Sequence, residues 1–549
     1  MSIELSSDYY LLNFNALVKF VASQYGDLIS VEEWEFVRRF QLLSTDAAKL
    51  FVRLCLRTRV CYFSEQLVYS EISSIDGAID ELKKNEFVLI NPIMEGVDLL
   101  NVLTKEDLKS LFTDKSIKGS LKKEFLVENI LSSYSIKKIY EIIFKTKILV
   151  YKNKDKEVEA LLHFFFGNRF QNLTEFVLQD LGMVTYEKYV IDKSSRLFSN
   201  RLDFEHSLIL SQLSEESFLA VEADDFETVV AIEKQIPAVS SNRKKKKQKG
   251  KILNRCAAYL EKNKLLEEAL LLYQQTDRIP SRERQARILK TLSRKEESIK
   301  LCEQILEDSF SEDEKEFAES FLHKLNTNKN KVKTQQPIFK EILILENQNE
   351  KSVEQISLEF LQSIYHSVHF VENTLMNSLF GLWFWEEIFA PIQGAFCHPF
   401  QFGPLDLFTD DFYQARKSGI LIKIDQLKGD PNVVKNNFIK KYETKFGIAN
   451  HLVYWEMISK EMVEATLACI PLQHIEVIFK RMLLGLKENS SGFPDLIAFA
   501  KDLKSYEMIE IKGPGDKLQK NQTRWFEYFK QNQISCRLIH VEWKKNEEF

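Results

Sequence analysis

A run of short segments near the end of the chain, between residues 495 and 543, most constrains its fold. Apolar residues alternate there in the way that is typical of strands, except in one stretch with the spacing of an amphipathic helix. Gly513-Pro514-Gly515 breaks the second strand. The predicted elements are, in order, a strand at 496–499, a strand at 506–512, a helix at 519–531 and a strand at 536–543. This order predicts a C-terminal α/β domain.

An acidic and a basic side chain share one face of the second predicted strand. Side chains alternate along a strand, so Glu510 and Lys512 point to one face, while Ile509 and Ile511 point into the core. Asp495 brings a second carboxylate to the start of the neighbouring strand. The oxygens of Asp495 and Glu510 are hard ligands that suit Mg²⁺ or Mn²⁺, and the carbonyl of Ile511 can add another.

Such a cluster has a defined chemistry. A divalent ion lowers the pKa of a bound water and neutralises charge on a phosphate. Lys512 can orient that water or stabilise the pentavalent state. A bare D…ExK pattern also arises by chance on a surface strand that carries an ion pair, so the flanking residues have to decide between the two interpretations.

The flanking residues resemble the VRR-NUC domain, a branch of the PD-(D/E)xK nuclease superfamily. The matching stretches are Ser491-Gly-Phe-Pro-Asp-Leu496, Glu510-Ile-Lys-Gly-Pro-Gly-Asp-Lys-Leu518 and Gln522-Thr-Arg-Trp525. The patterns of that domain are GxPDL, EVKGPxDRL and QxxW. Ile511 and Lys517 replace the commoner Val and Arg, and both changes are mild.

The resemblance extends over nearly the whole chain, to the Fanconi-associated nuclease family. The stretches that carry it are Glu372 to Trp385, Pro404-Leu-Asp-Leu407, Phe412-Tyr413, Asp8-Tyr-Tyr-Leu-Leu-Asn-Phe14 and Leu50-Phe-Val-Arg-Leu54. The resemblance implies that Glu372 is a further metal ligand and that Asp516 and Lys517 lie near the scissile phosphate. Lys517 supplies charge there but not the fork of an arginine. We expect Gln522 to support the same site.

The resemblance also implies a function. It predicts a structure-specific, Mg²⁺- or Mn²⁺-dependent DNA nuclease of the phosphodiesterase I type. Such an enzyme cleaves 5′ flaps and branched DNA by endonuclease and 5′→3′ exonuclease action. Members of the family work in DNA repair, including the repair of interstrand crosslinks, so we expect DNA and repair proteins as partners.

Residues 1–135 predict a helical DNA-binding region. Between residues 99 and 131 the apolar spacing predicts two short helices around a turn at Lys118-Gly119-Ser120. This arrangement resembles a SAP-type DNA-binding element, in which the basic start of a helix approaches phosphate. We therefore expect Lys118, Lys122 and Lys123 to contact DNA.

Residues 136–325 predict paired helices that resemble tetratricopeptide-like helices, although no strict period is present. The helix after Pro280 carries a cluster of basic residues, which are Arg282, Arg284 and Arg287. These arginines either form a solvated face or contact the DNA backbone, and we favour the DNA contact. Residues 326–337 are polar and predict a linker. Residues 338–549 then predict the nuclease domain, with a helical block that extends to about residue 485.

Charge and cysteine usage indicate the compartment. The formal net charge is −5, yet residues 243–251 hold seven positive charges and no negative one. The net charge does not exclude DNA as a partner, because phosphate binding depends on local clusters of Lys and Arg. That run is typical of a solvated, flexible loop, or of a nuclear localisation signal if the source is eukaryotic. The seven cysteines contain no CxxC pair, which indicates a reducing compartment, and no apolar run has membrane-spanning length. We expect a cytoplasmic, nucleoid-associated protein in a bacterium, or a nuclear protein.

Two other functions fit part of the pattern. Compact VRR-NUC proteins resolve Holliday junctions as dimers, but the long N-terminal half favours the flap nuclease. A non-catalytic DNA-binding scaffold of helical repeats has no need for Asp495, Glu510 and Lys512. Two further patterns have simpler explanations: His366, His369 and Glu372 lack enough partners for a zinc site, and residues 383–385 are expected to pack in a helical core and not to stack on bases.

Overall fold

The structure of the chain is a computed structural model that describes residues 6–113, 122–173, 176, 183–238, 243–327, 340–348 and 350–544. The chain divides into two compact units. The first contains residues 1–181 and 198–319, and the second contains residues 182–197 and 320–549. The domain boundaries that the sequence places at residues 135, 325 and 337 stay predictions.

The first part of the first unit combines helices with a small sheet. Its elements are α1 (Tyr9–Tyr25), α2 (Val31–Gln41), α3 (Thr45–Cys55), β1 (Cys61–Phe63), a 3-10 turn (Ser64–Gln66), α4 (Ile75–Lys84), β2 (Val88–Ile90), α5 (Gly96–Val102), α6 (Lys105–Leu111), α7 (Lys123–Ser133), α8 (Ile136–Phe144), β3 (Leu149–Lys152) and α9 (Asp155–Phe166). Strand β3 lies between β1 and β2 and is antiparallel to both.

Local capping and aromatic packing explain the first helices. Helix α2 begins at a capping box: the Ser30 hydroxyl accepts the Glu33 N–H, and the Glu33 carboxylate accepts the Ser30 N–H at 2.8 Å. Phe36 of α2 then packs against Phe51 of α3 and against Phe87. Such ring pairs bury large apolar areas, so the frequent phenylalanines of this chain build its core.

Helices α5 and α6 correct the prediction of a single helix before the turn at Lys118. The first helix ends at Val102, the backbone of Leu103 is extended, and Thr104 caps a new helix. The Thr104 hydroxyl accepts the Asp107 N–H at 3.1 Å and donates to the Asp107 carboxylate at 2.7 Å. Three helices, α5, α6 and α7, therefore replace the predicted two. Lys118 itself lies outside the described residues.

A series of helices follows in the middle of the chain. They are α10 (Arg201–Glu222), α11 (Phe226–Gln235), α12 (Arg243–Lys262), α13 (Leu266–Gln274), α14 (Ser281–Thr291), α15 (Lys295–Glu307) and α16 (Glu312–Thr327). Successive helices from α10 to α14 bury a shared apolar core. The predicted helical middle region is thus confirmed.

The basic run at residues 243–251 forms the first turns of α12 and is not the flexible loop that its composition indicated. The apolar face of the helix begins directly after the run, with Ile252, Leu253 and Cys256 buried. Burial of that face stabilises a helix whose first turns alone would be unfavourable. Within the run, the Lys245 side chain is buried and forms an ion pair with Asp203 of α10.

The second unit contains a five-stranded sheet and its helices. Its elements are β4 (Lys340–Leu345), α17 (Val353–Leu361), β5 (Ser367–Phe370), α18 (Leu375–Trp383), α19 (Trp385–Ile388), α20 (Asp411–Gln426), α21 (Pro431–Lys445), α22 (Lys460–Cys469), α23 (Leu472–Leu483), α24 (Leu486–Asn489), β6 (Leu496–Phe499), β7 (Tyr506–Lys512), α25 (Lys520–Gln531) and β8 (Cys536–Trp543). The strand order is β4-β8-β7-β6-β5. The predicted order of strand, strand, helix and strand after residue 495 is confirmed.

The sheet is mixed in direction. Strands β4, β8 and β7 are parallel, whereas β6 is antiparallel to both β7 and β5. Strands β4 and β5 correct the prediction of a purely helical block between residues 338 and 485. Both are short and lie at the two edges of the sheet, so their pairing with distant strands, and not a local pattern, decides their structure.

Side chains alternate between the two faces of the sheet. Ile509 and Ile511 pack in the core that contains residues of α17, whereas Met508 packs in the core that contains Trp525 of α25. The predicted alternation along β7 is therefore confirmed, and Glu510 lies on the α25 face. Within the described residues, no single helix has the length and apolarity to cross a membrane, and only the bent pair α22–α23 passes that test, by length and composition alone.

Candidate active site

The register of β6 against β7 brings two carboxylates together. Leu496 lies opposite Ile509 in this antiparallel pair. Asp495 directly precedes Leu496, and Glu510 directly follows Ile509. Asp495 therefore lies opposite Glu510, on the α25 face of the sheet. Asp495 is 6% exposed and Glu510 is fully buried. Two acidic groups removed from water at the same point need partners that carry positive charge or donate hydrogen bonds.

Three groups donate to these carboxylates. The Ile511 N–H donates to Asp495 Oδ2 at 2.8 Å. Lys512 Nζ lies 2.7 Å from Glu510 Oε1, and Gln522 Nε2 donates to the same oxygen at 2.5 Å. Among the described residues, the other oxygen, Glu510 Oε2, is buried and has no hydrogen-bond partner. The site therefore contains an unused ligand atom.

The first turn of α25 holds the Gln522 amide in place. Gln522 is the third residue of the helix, and its Oε1 accepts the N–H of the capping residue Gln519 at 2.9 Å. With the oxygen fixed in this way, the NH₂ group points at Glu510. Helix α25 thus positions Glu510 from above the sheet.

A tight turn before α18 carries Glu372 towards the same end of the sheet. The Val371 N–H donates to the backbone oxygen of Asp495 at 2.8 Å. Asn373 adopts a left-handed backbone with φ 52°, and its Oδ1 accepts the Phe493 N–H at 3.2 Å. Glu372 lies between these two anchors and is partly buried. The turn, and not the helix itself, therefore places this carboxylate.

The electrostatics of the site follow from burial. Burial raises the pKa of Asp495, the Ile511 N–H and Lys512 oppose this rise, and the negative charges of Glu372 and Glu354 add to it. Burial also raises the pKa of Glu510, as does the charge of Asp495, while Lys512 opposes it. The cluster is therefore short of positive charge in the protein alone.

These features fit a divalent cation. Asp495 and Glu510 offer hard oxygen ligands, and the unpartnered Glu510 Oε2 has lone pairs available to coordinate a metal ion. Among the described residues, no three His, Cys, Asp or Glu side chains already form a metal-binding group. A backbone carbonyl, water and phosphate oxygens would then complete the coordination, as is usual for Mg²⁺.

The sequence and fold comparisons agree with this geometry. Residues 430–543 match the VRR-NUC domain, and residues 8–89 match the family described as FAN1, HTH domain. The Fanconi-associated nuclease 1 homolog of Pseudomonas aeruginosa is 31% identical over 543 residues, which cover 97% of this chain and 96% of that protein. The chain belongs to the Fanconi-associated nuclease family. The resemblance predicted from the motifs is thus confirmed.

More distant members of the Fanconi-associated nuclease family are also similar. The Arabidopsis thaliana homolog is 25% identical, and the alignment covers 94% of this chain but 65% of that longer protein. The crystal structure of paFAN1 bound to 2nt 5′ flap DNA with gap has a TM-score of 0.88 and 29% identity, and covers 99% of this chain and all of that one. The predicted fold class and the predicted DNA nuclease are confirmed, and the VRR-NUC domain implies dependence on a divalent metal ion.

The family comparison also reveals an element that the sequence interpretation missed. The match to the HTH domain at residues 8–89 covers α1 to α4, β1 and the start of β2. The available signal was the pair of capped helices α2 and α3, which are separated by a three-residue turn. The sequence patterns of this stretch predict only a part of a helical DNA-binding region.

The loop after β7 presents the two residues that the Fanconi-associated nuclease resemblance places near the scissile phosphate. Asp516 Oδ2 accepts the Gly513 N–H at 3.0 Å and so closes the turn. Gly515 has φ 88°, a conformation that favours glycine. The side chains of Asp516 and Lys517 are exposed at this turn. Their contact with DNA stays a prediction.

The remaining basic residues of the predicted DNA surface differ in their surroundings. Lys122 is exposed, whereas Lys123 Nζ donates to the backbone oxygen of Asn101 at 2.8 Å. Arg284 pairs with Glu261, and Arg287 pairs with Glu283 at 2.8 Å. A phosphate that contacts Lys123, Arg284 or Arg287 would share the side chain with these partners or displace them.

Arg282 is held more firmly than its neighbours. Its Nη2 lies 2.7 Å from Glu314 Oε2, and its Nη1 lies 2.7 Å from Asp308 Oδ1. The guanidinium also stacks on the Phe310 ring, 3.8 Å from its centroid. Since Arg282 is only 8% exposed, this geometry favours a structural role in the helical region over a contact with the DNA backbone.

The structure places the two patterns that the sequence set aside at a strand and in a helical core. His369 lies within β5 and His366 directly before it, so their spacing does not place them on one helix face. Trp383, Phe384 and Trp385 are buried. Trp383 stacks on Phe438 of α21, which supports the interpretation that these rings pack in the core.

Proposed function

We propose that this chain hydrolyses phosphodiester bonds of 5′-flap and branched DNA with Mg²⁺ or Mn²⁺ bound at Glu372, Asp495, Glu510 and the carbonyl of Ile511. The observation that carries the proposal is the buried pair of Asp495 and Glu510, in which Glu510 Oε2 lacks a partner. The ion would activate a water molecule and neutralise charge on the scissile phosphate.

Lys512 and Gln522 have separate tasks in this mechanism. Lys512 Nζ lies beside Glu510, where it can hold the attacking water or the phosphoryl oxygens as negative charge develops. Gln522 does not need to touch DNA: its bond to Glu510 Oε1 fixes the carboxylate and leaves Oε2 available to a metal ion. A hydrogen-bonded partner of this kind keeps a ligand in one orientation.

The substrate proposal rests on the family. Two similar solved structures are paFAN1 complexes with 5′-flap DNA that contains a gap, and they align with this chain along nearly its whole length. A structure-specific flap nuclease of this family acts in DNA repair, including the repair of interstrand crosslinks. Because its substrate is chromosomal DNA, we propose that it works in the bacterial cytoplasm or in the nucleus. Contacts with repair proteins are part of the same proposal.

One experiment tests the reaction and its substrate together. Purified protein is incubated with Mn²⁺, Mg²⁺ or EDTA and with 5′-flap, 3′-flap, four-way-junction and linear duplex DNA, each strand being end-labelled in turn. We expect cleavage near the 5′-flap junction with either ion and none in EDTA. Preferred, symmetric cleavage of the four-way junction would instead indicate a junction resolvase. Binding to the flap should weaken steeply with salt, because lysine and arginine contacts release counterions from DNA.

Glu372→Gln tests the ligand that lies farthest along the chain from the other two. Removal of its charge is expected to lower Mn²⁺ affinity at least about tenfold, since one hard anionic ligand is lost. Isothermal titration of the metal measures this directly, without a nuclease assay. Glu359→Gln is the matched control, because Glu359 is an exposed residue of α17 that pairs with Lys351. Equal Mn²⁺ affinity in both variants would remove Glu372 from the site.

A further inference from the structure

A row of side chains crosses three parallel strands beside the candidate active site. Lys512 of β7 lies in register with His540 of β8, and His540 lies in register with Ile342 of β4. Residues in register on neighbouring strands point to the same face, and their strands are about 4.8 Å apart. The row therefore starts at Lys512 and continues over the same face as Glu510.

The row stays accessible along β8 and β4. His540 is partly exposed. Ile342 is 59% exposed, and Ile344, two residues further along β4, is 64% exposed. By contrast, Leu343 and Leu345 face the opposite side of the sheet and pack in or against its core. Two exposed isoleucines on an edge strand are unusual, because an exposed apolar edge favours association with another molecule.

Charge divides this row into two parts. Lys512 and His540 make the end nearest the carboxylates suitable for an anion. Further on, Glu542 lies in register with Ile344 and is exposed, so a phosphate is disfavoured there. Within a few residues the row thus changes from side chains that suit an anion to exposed apolar side chains. A nucleic acid strand has a matching alternation of phosphates with sugars or bases.

We propose that His540 binds a phosphate of the DNA strand next to the scissile one, and that Ile342 contacts an adjoining sugar or base. This inference rests on the proposed function, because Lys512 and the carboxylates define where the scissile phosphate lies. The occupant is a DNA strand and not a protein, since the row is continuous with the nuclease site. His540 donates a hydrogen bond from its imidazole to a non-bridging phosphate oxygen.

The first test separates binding from chemistry. Cleavage of a 5′-flap substrate is measured in single turnover over a range of protein concentrations with Mn²⁺, for His540→Ala, His540→Gln and Ile342→Thr. We expect His540→Ala to raise the concentration for half-maximal rate about tenfold, the effect of one lost hydrogen bond to a charged group. The maximal rate should change less than about twofold, because the carboxylates are intact. His540→Gln keeps a donor and should recover part of the loss.

Matched controls come from the opposite edge of the same sheet and from a nearby turn. His366→Ala removes an exposed histidine directly before β5, and Ile364→Thr changes an isoleucine that is 49% exposed. Neither should alter the concentration for half-maximal rate. If His540→Ala and His540→Gln both equal His366→Ala while the wild type cleaves the flap, the inference is overturned and the proposed function stands.

The second test locates the DNA strand. A benzophenone amino acid at position 342 is irradiated in the presence of flap DNA and EDTA, so that no cleavage is needed, and the crosslinked nucleotide is mapped. We expect a crosslink within about two nucleotides of the cleavage site, since neighbouring strands are about 4.8 Å apart. A crosslink elsewhere on the DNA, or a crosslink yield no higher than that of the same amino acid at position 364, would refute the assignment. This outcome does not depend on which DNA the protein cleaves.

Discussion

Asp495→Asn is expected to reduce metal-dependent cleavage at least about 100-fold, by analogy with the loss of one preorganised electrostatic group. Asparagine retains an oxygen that can accept the Ile511 N–H, which donates to Asp495 Oδ2 in the wild type. The shape of the site therefore persists while one anionic ligand is lost. The measurement is the single-turnover rate on 5′-flap DNA with Mn²⁺.

The same substitution should stabilise the metal-free protein. Asp495 and Glu510 are buried together, and burial and mutual repulsion raise the pKa of Glu510. Removing one buried charge is expected to increase the free energy of unfolding by roughly 1–3 kcal/mol in EDTA near pH 7. The gain should shrink as the pH falls from about 6 towards 4, because burial raises the pKa of Asp495 to about 6. Below that pH the Asp495 carboxyl of the folded protein is protonated, so its charge no longer destabilises the fold.

Asp502→Asn provides the control for both readouts. Asp502 lies in the exposed turn between β6 and β7 and accepts the Lys504 N–H at 2.9 Å. That variant should change neither the cleavage rate nor the free energy of unfolding in EDTA. If Asp495→Asn cleaved flap DNA as fast as Asp502→Asn, the assignment of the active site would be wrong.

Arg282→Ala is expected to destabilise the helical region by about 3–5 kcal/mol, because it leaves a buried carboxylate without its partner. The side chain of Glu314 is only 3% exposed, and both of its oxygens bond to the Arg282 guanidinium. Loss of the stacking on Phe310 adds to the effect. Hydrogen exchange of α14 to α16, together with the urea midpoint, measures the change.

Arg287→Ala separates a structural role from a DNA contact. Arg287 lies five residues further along the same helix, and its pair with Glu283 is partly exposed, so the stability cost should stay below about 1 kcal/mol. If Arg282 contacted DNA instead, Arg282→Ala would weaken flap binding and reduce its salt dependence while the hydrogen exchange of α14 to α16 stayed unchanged. That result would contradict the role inferred from its ion pairs.

The amino-acid sequence was informative where a pattern is local. The alternation along residues 506–512 placed Glu510 and Lys512 on one face of a strand, and β7 has these bounds. The amphipathic spacing after Gly515 predicted α25 and its buried Trp525. In both cases the period of the element, and not a distant partner, decides which side chains point together.

Other elements depend on partners far away in the chain, and the sequence did not reveal them. Strand β4 pairs with β8, which lies nearly two hundred residues further along the chain. No local pattern predicts that pairing. The contact of Arg282 with DNA stays a prediction, but its ion pairs with Asp308 and Glu314 could not be seen from a cluster of arginines. Long-range contacts of this kind override local propensity.

The motif around Asp495 and Glu510 by itself determined the order of β6, β7, α25 and β8 and the type of reaction. The tertiary structure alone decided how the site is assembled. It buries Glu510 completely, leaves its Oε2 without a partner, brings the turn that carries Glu372 against Asp495, and places His540 beside Lys512. The physical reason is that alternation and spacing act within one element, whereas burial and register arise only when strands from distant parts of the chain pair in one sheet.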